Sequence, residues 1–366
     1  MNVLIPVLSF GRAGGNRVLS KLADELMKLG HRVDFLCPDG SQEPYYATNA
    51  DIKWIDENGS IVPHNNTHSG DNAFTIQRKL KKGLAKIPKC QYDVLIANHS
   101  LTVIPVHRTG WASKTLYYVQ AYEPDMYRIM GGFRNRLLAS LSSSSYSRNL
   151  FTVVNADIYL RYKKLSATRT LYPGIDFNLF YPGKTISPGN KIIIGTIGRA
   201  ERFKGTEYIL TAFRILRKKY PGIELHVAFG NPADFEQYEG VICIQPHGDQ
   251  ALADYYRSLS YYFCAAFIQQ GAFHYPVAEA MSCGVSVITT QYYPANNDNA
   301  WIARACKAND LVSLFEAAQK DPGLKQVKIK QSLEDVKQFD WNLVGKRLDA
   351  YLAELVAIST AGKVTP

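Results

Sequence analysis

The sequence lacks several features that would assign it to a particular class of protein. No apolar run approaches the roughly 20 residues needed to cross a bilayer. The N-terminus, MNVLIPVLSF, has neither the basic segment nor the small-residue cleavage site of a secretory leader. There is no low-complexity tract and no repeat at solenoid spacing. The six cysteines are scattered without a CxxC pair. We therefore expect a cytoplasmic globular protein with reduced thiols.

Two ligand-binding motifs are also missing. There is no GxGxxG fingerprint, and the second predicted strand ends at Cys37-Pro38 without the acidic residue that would hold an adenosine ribose. Both absences argue against a nicotinamide-dependent dehydrogenase. No Asp-x-Asp sequence is available to chelate a divalent cation on a diphosphate. The sequence therefore predicts no metal site.

The chain has 366 residues, of which 46% are hydrophobic and 20% charged, values typical of a soluble protein with two α/β domains. Its net charge of +10 is unevenly distributed. Residues 1–172 contain 22 Lys and Arg against 13 Asp and Glu, whereas residues 173–366 contain 20 against 19. This asymmetry favours an anionic partner for the N-terminal half. No RNA- or DNA-binding module is visible, so a nucleic acid is not expected, although a non-catalytic nucleic-acid-binding protein stays as an alternative.

Strands and helices alternate along the chain. Asn2–Leu8 reads as a buried strand, followed by the glycine-rich turn Gly11–Asn16, a helix that stops at Gly30, and the strand Arg32–Cys37. This strand-loop-helix-strand unit is the opening of a doubly wound parallel sheet. Further strands of the first half are predicted at Asp93–Ala97, Thr115–Gln120 and Phe151–Asn155.

A Pro- and Gly-rich segment at residues 172–190 interrupts this pattern and marks a domain boundary. The alternation then restarts with a strand at Lys191–Ile197 and a helix at Thr206–Tyr220. We predict an α/β protein of two facing Rossmann-like domains, residues 1–172 and 173–340, with ligands in the interdomain cleft. A last helix within residues 341–366 could pack back across the junction.

Two loops between a strand and a helix could bind phosphate. In the first, Gly14 and Gly15 precede a helix N-terminus, where backbone N–H groups favour an anion, although a tight structural turn explains them equally well. In the second, Arg199 and Lys204 lie in the loop after the first strand of the second domain. Cations held in such a loop suit a pyrophosphate.

A third segment, Phe273–Gly284, precedes a strand. Pro276 is suited to open a helix, and Glu279 would then lie in the first helical turn, where the helix dipole favours a carboxylate. Such a carboxylate could accept two hydrogen bonds from a ribose diol. The alternative is a simple helix-terminus charge.

In combination these motifs resemble a known family. The GR…KG loop, the PVAEAMSCGV segment, the opening GG and GH-x-V elements and YPGIDFNLFYP at the linker are similar to the retaining family 4 glycosyltransferases of GT-B fold. The resemblance implies a nucleotide-sugar co-substrate and no cofactor. It places Arg199 and Lys204 on the donor diphosphate, Glu279 on the nucleotide ribose, and the Gly14–Gly15 loop opposite the phosphates.

One position departs from the family pattern. The family has two glutamates in an E-x7-E pattern, and the first, which contacts the donor sugar, corresponds here to Gly271. The donor-sugar site is therefore predicted from neighbouring residues, namely Gln270, Gly271, His274 and Tyr275. Bacterial surface-polysaccharide rhamnosyltransferases are similar in this respect, and their V-Q-x-x-E-P stretch resembles residues 119–124, VQAYEP. A rhamnose or other deoxysugar donor is the leading expectation.

Two residues at predicted strand ends are candidates for catalysis. His99 corresponds to a histidine that lies near the donor sugar in the family, although a lone histidine after a strand is more often structural. Glu123 could orient the acceptor hydroxyl or act as a base. The resemblance implies transfer with retention and without metal, to a glycan or lipid-linked glycan. A sugar-nucleotide epimerase of the same architecture is the nearest alternative.

The basic half also contains two candidate membrane-binding elements. Six cations at Arg78–Lys89 flank the apolar residues Leu80, Leu84 and Ile87, which share one helical face, a pattern typical of a helix in a membrane interface. Packing of these apolar residues into the sheet is the alternative. A second element contains Arg134 and Arg136 beside Phe133, Leu137 and Leu138. Either could attach the protein peripherally to an anionic leaflet or bind a lipid-diphosphate acceptor.

Overall fold

The computed structural model describes residues 1–11, 13–65, 70–183, 191–198, 200–235, 237–304 and 307–361. The chain divides into two compact units. One contains residues 1–174 together with the C-terminal helix, and the other contains residues 175–340. Each unit is built on a largely or wholly parallel sheet, so the α/β class with two parallel-sheet domains is confirmed.

The N-terminal unit has an eight-stranded sheet. Its strands are β1 (Asn2–Pro6), β2 (Arg32–Pro38), β3 (Asp51–Ile55), β4 (Ile61–Val62), β5 (Val94–Ala97), β6 (Thr115–Val119), β7 (Phe151–Val154) and β8 (Arg169–Thr170). The strand order is β4-β3-β2-β1-β5-β6-β7-β8, and every pairing is parallel except that of β3 with β4. Its helices in chain order are α1 (Gly14–Lys28), α2 (Ala73–Lys86), α3 (Ser100–Arg108), α4 (Glu123–Met130) and α5 (Gly132–Ser145).

The C-terminal unit has a six-stranded, wholly parallel sheet. Its strands are β9 (Ile193–Ile197), β10 (Glu224–Ala228), β11 (Val241–Ile244), β12 (Tyr261–Cys264), β13 (Ser286–Thr289) and β14 (Trp301–Ile302), in the order β11-β10-β9-β12-β13-β14. Its helices are α6 (Thr206–Lys219), α7 (Gly248–Arg257), α8 (Tyr275–Ser282), α9 (Ala308–Lys320) and α10 (Pro322–Val336).

The last helix, α11 (Trp341–Ala361), belongs to the N-terminal unit. His31, just beyond α1, lies with Nε2 2.8 Å from Asp349 Oδ1 on α11. Arg169 Nε donates to Glu354 Oε2 at 3.0 Å. Two polar contacts thus fasten the end of the chain to the first half of the sequence. No helix within the described ranges is long and apolar enough to cross a membrane.

The apolar face of α2 lies against the sheet. Leu80, Leu84 and Ile87 are buried in one cluster with residues of β2, β3 and β5. Lys79 is buried as well, and its Nζ lies 2.6 Å from Asp71 Oδ2. The prediction that Arg78–Lys89 forms a membrane-interface helix is therefore wrong, because its apolar residues form part of the domain core.

The strand order reverses once in each sheet. In the N-terminal unit β1 lies between β2 and β5, and in the C-terminal unit β9 lies between β10 and β12. At such a switch point the connections leave to opposite sides of the sheet, which opens a crevice outside the carboxyl ends of the strands. The β1/β5 and β9/β12 switch points are therefore where each unit is expected to bind a ligand.

Candidate functional site

The first switch point contains the predicted glycines. Gly14 and Gly15 are the first two residues of α1, which follows β1. The first N–H groups of a helix have no partner within it, and together with the helix dipole they favour an anion. Gln120, directly after β6, donates from Nε2 to the Gly15 carbonyl at 3.4 Å. Gln120 was not assigned a role from the sequence, although it lies in the VQAYEP stretch.

His99 follows β5 and caps the N-terminus of α3. The Leu101 N–H donates to His99 Nδ1 at 3.0 Å, so in the neutral ring the hydrogen is on Nε2. Burial lowers the pKa of His99 to about 4. The imidazole is therefore uncharged near neutral pH and presents an N–H donor.

Glu123 is the first residue of α4 and is 8% exposed. The Ser100 N–H donates to its Oε1 at 3.3 Å, and His99 Nε2 lies 3.9 Å from the same oxygen. Its Oε2 is buried and has no hydrogen-bond partner among the described residues. Burial raises the pKa of Glu123 to about 8. A buried, incompletely satisfied carboxyl group that titrates near neutrality is suited to hold or transfer a proton.

The second switch point begins with the loop after β9. Lys204 ends a short 3₁₀ turn, and Gly205 then caps α6. Gly205 has φ +73°, and a Cβ there would lie 2.0 Å from the Ala265 carbonyl oxygen, so only glycine fits. Burial raises the pKa of Cys264 at the end of β12, and the nearby Lys204 charge partly opposes this rise. Lys204 directly precedes Gly205, which lies against Ala265 just after β12, so Lys204 is located beside the β9/β12 crevice. Arg199 lies outside the described residues.

The loop after β12 contains the four predicted sugar-site residues. His274 caps α8, and its Nε2 lies 3.9 Å from Cys264 Sγ, so His274 and Lys204 lie around the same strand end. Gln270 is half-buried in the preceding loop. Gly271 has φ +93°, a left-handed conformation that favours glycine. Tyr275 packs edge-on against Phe273 with ring centroids 5.3 Å apart.

Glu279 lies deeper than the sequence pattern indicates. Helix α8 begins at Tyr275 with Pro276 in second place, so Glu279 is its fifth residue, and there is no acidic residue in the first turn. The predicted first-turn position is therefore wrong, and the helix dipole is correspondingly weaker there. Glu279 is buried, and the Tyr256 hydroxyl donates to its Oε2 at 3.1 Å. This contact orients the buried carboxylate.

The described ranges contain His, Cys, Asp and Glu side chains, the usual protein ligands of metal ions. Within those ranges no group of three or more His, Cys, Asp or Glu side chains could hold a metal ion.

Two family models match the chain. Residues 12–177 match "Glycosyltransferase Family 4", and residues 191–320 match "Glycosyl transferases group 1". Between them, the models include strand β5, helix α1 and the β9/β12 switch point. No curated protein sequence matches the chain.

Solved structures of similar fold include the sucrose-phosphate synthase of Thermosynechococcus elongatus, with a TM-score of 0.78 and 16% identity over 98% of this chain and 99% of that one. HepE of Anabaena, solved with UDP-glucose, has a TM-score of 0.69 and 13% identity over 97% and 100%. WaaG, a glycosyltransferase involved in lipopolysaccharide biosynthesis, has a TM-score of 0.69 and 15% identity over 94% and 98%. At these identities the likeness shows the fold, and with the two family models it establishes that the chain belongs to the family 4, or group 1, glycosyltransferases of GT-B fold.

Proposed function

We propose that this glycosyltransferase moves a sugar from a nucleotide-sugar donor to a glycan or lipid-linked glycan acceptor, with retention and without a metal or cofactor. The observation that supports the proposal best is the clustering of candidate residues from separate parts of the sequence at two topological switch points. The nucleotide-sugar donor gains support from HepE, whose structure contains UDP-glucose. Reduced cysteines, five of which are free in the described chain, agree with a cytoplasmic location.

The C-terminal unit would bind the donor. Lys204 and the N-terminus of α6 supply positive charge for the diphosphate, and the sequence adds Arg199 to this group. Glu279 is assigned to the nucleotide ribose. The sugar is assigned to the loop of Gln270, Gly271, His274 and Tyr275.

The N-terminal unit would bind the acceptor and assist the reaction. The ionised Glu123 carboxylate accepts a hydrogen bond from the attacking hydroxyl, and the Nε2–H of His99 donates to oxygen atoms of the sugar. The bond from the anomeric carbon to the diphosphate oxygen breaks as the acceptor oxygen attacks from the same face. The departing phosphate takes the proton of the hydroxyl. Lysine and helix N-termini stabilise the charge that develops on the leaving group.

The donor sugar is proposed to be rhamnose or another deoxysugar. The glutamate of the family pattern is replaced here by Gly271. The backbone at this position has a positive φ, in which a glutamate would be strained. Without that carboxylate, the donor site depends less on hydrogen bonds to sugar hydroxyls. A thermal-shift screen of dTDP-, UDP-, GDP- and ADP-sugars tests the assignment, since a bound donor raises the melting temperature by mass action. A rhamnose donor is expected to give the largest shift, and a response confined to UDP-glucose or GDP-mannose would reject the deoxysugar.

Substitution of Glu279 is expected to raise the donor KM. In Glu279→Gln the shape is kept but the charged hydrogen bonds to the ribose are lost, so a KM increase of about tenfold is expected, and Glu279→Ala is expected to be worse. Steady-state kinetics with varied donor measures the effect. Because Glu279 also accepts from Tyr256, the variant Tyr256→Phe separates the two roles. A lower melting temperature with an unchanged donor KM in Glu279→Gln would show that the residue is structural.

Activity is expected to survive chelation. Transfer rates measured before and after EDTA treatment should agree within error, since cationic side chains and helix N-termini replace the metal in the proposed mechanism. Loss of activity on chelation that Mn²⁺ restores would contradict it.

A further inference from the structure

The N-terminal unit contains a second cationic groove, outside the switch-point site. It is an open groove of about 500 Å³ between helices α4 and α5 and the turn at Lys163–Leu165. Three cations, Arg128, Arg136 and Lys164, contribute to its lining, together with the serines Ser140, Ser143, Ser144 and Ser147. The α5 residues of this set recur every three or four positions, so they form one face of the helix.

The cations that line this groove outnumber the carboxylates that pair with them. Arg128 Nη1 lies 3.0 Å from Asp125 Oδ1, and Lys164 Nζ donates to Ser143 Oγ at 3.1 Å. Arg136 is exposed and has no ion pair with any described residue. A groove with an excess of cations and a row of hydroxyl groups is complementary to a phosphate group.

The same two helices expose large apolar side chains. Phe133 is 83% exposed, and Met130 and Ile129 are more than half exposed. Met126 and Leu137 are also exposed on these helices. Helices α4 and α5 meet at Gly131 and Gly132, so the apolar residues lie at and beside the tip of a short helical hairpin. An exposed apolar cluster beside cations is the pattern of a membrane-interface element.

We propose that the α4–α5 hairpin docks on an anionic phospholipid bilayer, with Phe133, Met130 and Ile129 entering the interface and a lipid phosphate occupying the groove of Arg128, Arg136 and Lys164. Each basic residue near an anionic leaflet contributes on the order of 1 kcal/mol, so three cations and the apolar tip suffice for reversible attachment. Arg128 follows Glu123 by five residues of helix, about 7.5 Å of rise. The docked surface is thus close to the carboxyl group assigned to the acceptor hydroxyl.

Vesicle co-sedimentation tests this proposal independently of sugar transfer. The intact protein is mixed with phosphatidylcholine vesicles or with vesicles that also contain phosphatidylglycerol. Two variants address the two halves of the surface: Met130→Ser with Phe133→Ser, and Arg136→Glu with Lys164→Glu. The control, Arg78→Glu with Lys81→Glu, makes the same charge change on exposed residues of α2. Melting temperatures verify that all three are folded.

We expect the unmodified protein to bind only the anionic vesicles, and binding to fall as salt rises. Each hairpin variant should lose about tenfold or more in affinity, while the control retains its binding. In Arg136→Glu with Lys164→Glu the attraction of two cations to the anionic leaflet is lost, and in Met130→Ser with Phe133→Ser the burial of two apolar side chains in the interface is lost. Thermal-shift responses to nucleotide sugars should be unchanged in all variants. Equal losses in the control, equal binding to neutral vesicles, or full competition by free inorganic phosphate would overturn the proposal.

Discussion

The variant Lys204→Met should lose between about tenfold and more than a hundredfold in donor affinity and in kcat/KM. A charge-assisted hydrogen bond to a diphosphate contributes roughly 1.5–3 kcal/mol, and methionine removes the charge while it keeps the packing of the side-chain stem. Isothermal titration with the donor measures the affinity, and turnover assays measure the rate. We expect the same direction for Arg199→Ala.

A matched control is Lys218→Met, which removes one positive charge from the exposed part of α6, the helix that Gly205 caps. This variant should bind donor normally, so a general effect of net charge on an anionic ligand can be distinguished from a local one. If Lys204→Met and Lys218→Met bind the donor equally well, the diphosphate does not occupy the β9/β12 switch point through Lys204.

The second large effect is expected from Glu123→Gln. An ionisable group that positions or accepts a proton in the transition state contributes about a hundredfold or more, so kcat should fall by at least that factor. In the unmodified protein kcat/KM should rise with pH, reach half its limiting value near the Glu123 pKa of about 8 and level off above it, because the ionised carboxylate accepts from the hydroxyl. The variant should lack this inflection. Glu57→Gln, an exposed carboxylate of the same unit, is the control.

The free energy of unfolding should change with pH in the opposite direction to kcat/KM. The raised pKa means that folded Glu123 keeps a proton that the unfolded chain loses near pH 4.5. Raising the pH from about 5 to about 8 therefore lowers the free energy of unfolding of the unmodified protein by up to about 1.4 kcal/mol per unit from this group. Glu123→Gln should be the more stable protein, increasingly so across that range. A stability difference that is independent of pH would show that Glu123 is ionised when folded.

The fold was largely predictable from the sequence, because the strands that flank the switch points are continuous apolar runs. Helix α2 shows where such patterns fail. Its apolar face at Leu80 and Leu84 has the same spacing whether it contacts a sheet or a membrane, and only the tertiary structure distinguishes the two. The short edge strands β4, β8 and β14 have two residues each, too few to produce a periodic signal.

Site residues in loops with a glycine and a cation were recognisable, whereas those without a motif were not. Cys264 lies at the β9/β12 switch point simply because its strand ends there. Glu279 was predicted in the first turn because Pro276 was taken as the opening residue of the helix. The helix begins one residue earlier, at Tyr275, so Glu279 is its fifth residue. The sequence shows that Gly271 replaces the first glutamate of the family pattern. It does not show that the backbone of Gly271 is left-handed.

Proton NMR of the slow hydrolysis of the donor tests directly whether the protein transfers the sugar of a nucleotide sugar with retention of configuration. With the nucleotide sugar that gives the largest thermal shift and without an acceptor, water replaces the acceptor hydroxyl. We expect release of nucleoside diphosphate and of free sugar, and the anomer of the sugar that forms first should have the configuration of the donor. Both products should be nearly absent in Lys204→Met. A first-formed anomer of inverted configuration, or an epimerised nucleotide sugar with no release of sugar, would contradict this expectation.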